Sequence, residues 1–137
     1  MSDLNRFIEA QELDYLVALN EIKNGKKRSH WIWYIFPQLA FLGNSSTAKY
    51  YGIKDLKEAK LYLENEYLKN HLIEISQELL KIDKRIEDIV NYPDDLKIKS
   101  SMTLFNYVDP SIEVFKKVLD KFYDGKKDEL TLEKIRE

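Results

Sequence analysis

Cysteine is absent from the 137 residues, which removes disulfides, thiolate nucleophiles and cysteine metal ligands together and points to a reducing or indifferent compartment. The four glycines are isolated from one another, so no glycine-rich loop exists to cradle a phosphate. The two histidines, His30 and His71, lie too far apart for the compact zinc spacings, and neither a metal nor a cofactor is expected. No apolar run approaches the roughly 18 residues of a membrane span. The opening MSDLNRF lacks a cationic stretch leading into an apolar one. A cytoplasmic protein with no membrane partner is therefore expected. Net charge is only -2, so the mean field gives no pull toward nucleic acid, and such a partner is not expected. The one dense basic run, Lys26, Lys27 and Arg28, is explained by a solvated loop beyond a helix end.

Apolar residues make up 44% and charged residues 34%, with only three prolines, a balance that favours ordered helices. The length suits one domain spanning residues 1–137, with no repeat or linker to divide it. Leu4, Phe7, Ile8, Leu16, Leu19 and Ile22 recur mostly at three and four, predicting a long first helix over 4–24 with Ser2 or Asp3 as cap and Gly25 as stop. Residues 31–36 are nearly all apolar and aromatic. Without a visible partner strand they read as a short buried helical turn ended by Pro37. Ser45 or Ser46 caps a short helix closed by Gly52. Asp55 and Glu58 have capping-box spacing before a helix through Leu63, which Asn65 breaks. A helix over about 67–81 and a shorter turn through Ile86 and Ile89 follow. Pro93 suits a first helical position ahead of Asp94 and Asp95, Pro110 opens a helix over 111–124, and Asp128 or Thr131 caps a last turn. The expected class is all-α, a compact fold of about seven helices.

Two segments stand out. Residues 26–38, KKRSHWIWYIFPQ, hold three cations, a histidine and both tryptophans. Residues 94–105, DDLKIKSSMTLF, place Asp95, Lys97 and Ser101 in a helix otherwise rich in apolar side chains, where polar groups call for partners. His30 is suited to proton transfer or hydrogen bonding near neutral pH; equally, a histidine on an aromatic segment often satisfies a backbone carbonyl and is structural. Gly25, Lys27, the run Ser29-His30-Trp31-x-Trp33-x-x-Phe36-Pro37-Gln38, Leu42-Gly43-x-Ser45 and the run Asp95-x-Lys97-x-x-Ser100-Ser101-Met102-Thr103-Leu104-Phe105 are similar to the uncharacterised family catalogued as domain of unknown function 1810. Leu4, Phe7, Ala10 and Gln11 extend the match toward the start. The resemblance implies an all-helical, mainly bacterial cytosolic domain with no established activity.

The two segments are expected to pack together, with Lys27, His30, Gln38, Asp95, Lys97 and Ser101 around one polar pocket for a small anionic molecule. Lys27 and Lys97 would supply charge, His30 and Ser101 hydrogen bonds or proton transfer, Gln38 orientation, and Trp31 or Trp33 a stacking wall. His30, Asp95 and Ser101 are the candidate catalytic groups, with no reaction assigned. The competing reading is a protein-interaction or structural domain in which both segments line a polar core.

Overall fold

The first helix, α1 (Asn5–Lys23), buries Phe7, Ala10, Gln11, Tyr15, Ala18, Leu19 and Ile22 at spacings of three and four. The expectation that Leu16 joins this ridge is corrected: it stands nine residues after Phe7, about 180° round the helix, and is exposed. Asp3 accepts the Asn5 N–H at 3.1 Å; Ser2, the other expected cap, lies outside the residues the computed structural model describes, 3–136. At the far end Gly25 takes φ 77°, a conformation cheap only for glycine. It lets the Gly25 N–H reach the Ile22 carbonyl at 2.8 Å and the Lys26 N–H reach that of Glu21 at 3.0 Å. This is a Schellman cap, and it turns the chain back along α1.

Eight further α-helices follow among the described residues, with no β-strand: α2 (Ile32–Ile35), α3 (Ser46–Tyr51), α4 (Leu56–Glu64), α5 (Glu66–Leu80), α6 (Ile86–Ile89), α7 (Asp94–Val108), α8 (Glu113–Tyr123) and α9 (Glu129–Ile135). Seven of the nine have six residues or more; α2, the expected buried turn, and α6 are single turns of four. Ser45, Asp55, Asn65 and Asp128 each accept the backbone N–H three residues on, which fixes four helix starts by local chemistry. Glu58 departs from a capping box. Its carboxylate accepts the Lys54 N–H at 3.0 Å and pairs with Arg6 at 2.7 Å, because Arg6 offers a charged partner that the cap N–H cannot match. Pro93 stands one residue before α7, which starts at Asp94. Pro110 does not open α8 directly: Asp109 accepts both the N–H and the hydroxyl of Ser111, holding a turn that delays the helix to Glu113.

Helix α7 lies at the centre, against α2, α4, α8 and α9, while α5 packs on α1 and α8. Trp31, Tyr62, Phe7, Phe36, Phe105 and Phe115 are fully buried, each large enough to stabilise the fold by a few kcal/mol. No helix among the described residues is long and apolar enough to cross a membrane. The chain between α2 and α4 doubles back so that Ala40 N–H meets the Ile53 carbonyl and Ile53 N–H that of Gln38, both at 2.8 Å. Gly52 makes this approach possible, since a Cβ there would stand 2.3 Å from Ala40 Cα and 2.9 Å from its nitrogen. Gly52→Ala should therefore cost about 1–3 kcal/mol, read by urea denaturation. A neutral result would mean that the backbone of residues 38–40 yields freely.

Candidate functional site

Glu21, on the last turns of α1, organises the loop that follows. Its Oε1 accepts the backbone N–H groups of Arg28 and Ser29, at 2.8 and 3.0 Å, and the Trp31 indole N–H at 2.9 Å. Oε2 accepts the Ser29 hydroxyl at 2.6 Å. Partial burial opposes its ionised form, but the bonds donated by Ser29, Arg28 and Trp31 outweigh it and hold the carboxyl at about 2. So weak a base does not activate Ser29 as a nucleophile. The loop is tied at its other side by the Lys27 N–H to the Ile89 carbonyl, 2.7 Å, and by Lys26 Nζ to Asn91 Oδ1, 3.1 Å.

The two segments singled out in the sequence do meet, and Asp94 joins them. Its carboxylate receives Lys27 Nζ at 2.9 Å and Lys97 Nζ at 3.4 Å. Lys27 also lies 5.0 Å from the Trp31 ring centre and Lys97 4.7 Å from that of Trp33, favourable placements of a cation over an indole. Lys27 donates further to the Ser29 carbonyl at 2.5 Å.

A cleft of about 230 Å³ opens beside this junction, lined by residues 27–30 and 91–94. Of the residues expected around one pocket, Lys27 and His30 line it. The others do not. Trp31 is 1% exposed and Ser101 0%, so neither can meet a ligand from solvent. Asp95 is buried with Oδ1 unpartnered, as is the Ser101 hydroxyl, and burial raises the Asp95 pKa. At about 100° per residue, Ser101 and Asp95 point about 120° apart on α7, which rules out a shared wall. Gln38 belongs to the Ile53 contact. Lys97 and Trp33 are not among the lining residues. The residues the sequence reading passed over are Glu21 and Asp94. For Asp94 a signal existed, because Lys97 follows it by three and the two must share a helix face. Glu21 carried none, since its partners come from the reversed chain beyond Gly25.

At the cleft the Arg28 and His30 side chains are exposed and make no hydrogen bond or ion pair with the described residues, while Tyr92, 76% exposed, forms part of the opposite wall. A larger groove of about 530 Å³ between α6 and α8 is lined by Lys84, Arg85 and Lys121. Those cations are engaged by the Gly25 carbonyl, Asp88 and the Leu80 carbonyl.

A second polar cluster lies in the interior. Gln11 Nε2 donates to the Tyr34 carbonyl at 2.8 Å and to the Tyr62 hydroxyl at 3.1 Å. A carbonyl only accepts, so the amide orientation is fixed and Gln11 Oε1 must accept from His71 Nδ1 at 2.9 Å. His71, stacked on Tyr15 with ring centres 3.6 Å apart, has its pKa lowered by burial. These bonds satisfy buried groups, and the role they define is structural. No group of three or more potential ligands that could hold a metal ion exists among the described residues.

No curated protein matches the chain. Among solved structures, the crystal structure of the conserved hypothetical protein Rv1873 from Mycobacterium tuberculosis is similar at 40% identity, with a TM-score of 0.96 over 98% of this chain and 97% of that one. At that identity and coverage the helical architecture is common to both. The family model described as protein of unknown function (DUF1810) matches residues 1–135, and the chain belongs to that family.

Proposed function

We propose that the protein binds a small anionic ligand in the cleft between residues 27–30 and 91–94, in a cytoplasmic setting, without an assigned reaction. The observation that carries the reading is the division of labour among its basic side chains. Lys27 is neutralised by Asp94 and braces the wall, leaving the Arg28 and His30 side chains exposed at the mouth with no acidic partner. Arginine offers a planar fork of donors suited to carboxylate or phosphate, Asn91 an amide, and exposed Tyr92 a flat apolar face. The volume, about 230 Å³, falls below the roughly 300–1,000 Å³ of sites for drug-sized ligands, which favours a compact ligand. Ligand binding to the native state adds stability, about 2.7 kcal/mol at a hundredfold excess over Kd. A thermal-shift series with inorganic phosphate, sugar phosphates, mononucleotides and small dicarboxylates should thus raise the melting temperature of the wild type. Arg28→Ala and His30→Ala should abolish that rise while leaving the unliganded melting temperature unchanged, because neither side chain supports the fold. A large loss of stability in unliganded His30→Ala, or a ligand-induced rise surviving both substitutions, refutes the proposal.

A further inference from the structure

Leu13 is 81% exposed and Leu16 76%, one turn apart on α1, with Val17 beside them at 44%. The opposite face of the same helix is packed from Phe7 to Ile22, so these three cannot be turned inward without expelling the core ridge. Single exposed leucines are ordinary, but an adjacent group on one helix marks a contact surface. Around the same face of α1, Glu9 and Glu12 stand on the N-terminal side of the group and Lys23 on the C-terminal side, all three exposed.

That order of charges selects an occupant. A parallel second copy would set Glu9 against Glu9 and Lys23 against Lys23. An inverted copy, related by a twofold axis between Leu13 and Leu16, packs Leu13 on the second copy's Leu16, with the two Val17 side chains flanking that centre about 7.5 Å apart along the axis. At about 1.5 Å rise per residue it also brings Lys23 to within about 5 Å, measured along the axis, of the second copy's Glu9. We infer that the outer face of α1 is a self-complementary surface through which two copies of this chain associate antiparallel. The surface is one helix wide, so the area it buries lies below the roughly 1,200 Å² of standard interfaces, and the dimer is weak and concentration-dependent.

Sedimentation velocity over a rising concentration series tests this. The weight-average mass of the wild type should climb from 16.3 kDa toward twice that value, and Leu16→Lys should remain monomeric with an unchanged circular dichroism spectrum. Glu9→Lys and Lys23→Glu should each move the association midpoint to about tenfold higher concentration, since each reverses both symmetry-related pairs. An equimolar mixture of the two should recover association, because every pair is then of opposite sign. A wild type that stays monomeric throughout overturns the inference, as does a Leu16→Lys variant that associates normally. Charge reversals without effect, or a mixture that fails to recover, overturn the antiparallel arrangement.

Discussion

Arg6→Leu should lower the unfolding free energy by about 3–5 kcal/mol, because it leaves the Glu58 carboxylate charged and unpaired in the interior. Side-chain exposure is 9% for Arg6 and 2% for Glu58, at 2.7 Å separation. The guanidinium also donates to the carbonyls of Tyr50 and Gly52, at 2.7 and 2.9 Å, and so staples the start of α1 to the end of α3 and the turn before α4. Glu58→Leu should cost a comparable amount by stranding the arginine. The double variant removes both charges at once, and its cost should fall short of the sum of the singles by at least about 1 kcal/mol. Recovery is partial, since the Tyr50 and Gly52 carbonyls and the Lys54 N–H lose partners in any case. Denaturant titration of the four proteins gives the coupling directly; strict additivity would show that the pair contributes nothing as a pair.

The second large effect is at Glu21. Glu21→Ala should cost about 3 kcal/mol, since the buried Trp31 indole N–H is orphaned at about 1–3 kcal/mol and each charge-assisted bond is worth about 1.5–3 kcal/mol, part of which water recovers at the loop. Glu21→Gln should be milder. Three of the four donated bonds converge on Oε1, where the amide oxygen can replace it, and the Ser29 hydroxyl can rotate to accept from the new amide N–H. The pH dependence follows from a folded pKa of about 2 against an ordinary 4.5. Because the folded value is the lower, the unfolded chain takes up the proton first as pH falls. The stabilisation is complete above pH 4.5 and is lost between 4.5 and about 2. Wild-type stability should fall through that window, and Glu21→Gln should show a shallower fall. Equal slopes would mean that Glu21 is not held below its ordinary value. Since this carboxylate shapes the loop carrying Arg28 and His30, Glu21→Ala should also remove ligand-induced stabilisation, whereas Glu21→Gln should retain it.

Much of the fold is legible without coordinates wherever the cause is local. Caps at Ser45, Asp55 and Asp128 act over three residues, as does the one at Asn65, which the sequence shows only as a helix breaker, and Gly25 ends α1 through its own backbone freedom. Burial of the segment 31–36 follows from its unbroken apolar character, but its helical form is read only from the lack of a visible partner strand, since Pro37 ends a strand or a helix alike. Periodicity fails where two apolar faces compete: Leu13, Leu16 and Val17 are as apolar as Leu19 and Ile22, and only the neighbours supplied by α5 and α2 decide which side of α1 is inside. Proline also misleads when a side chain beside it makes a stronger turn, as Asp109 does ahead of Pro110.

The pairing of residues 26–38 with residues 94–105, with Lys27 and His30 beside it, is an expectation that only the packed helices decided; the sequence by itself determined the helical class and most helix ends. Those follow from composition, period and short-range hydrogen bonding. Tertiary structure decided which polar residues share a place. It chose Asp94 over Asp95 as the bridge, sealed Trp31 and Ser101 from solvent, and recruited Glu21 from a helix that ends before the loop begins. The physical reason is common to all three: a helix advances about 100° per residue, so neighbours in the chain face apart. A side chain's partner is then whatever the packed helices bring to its own face.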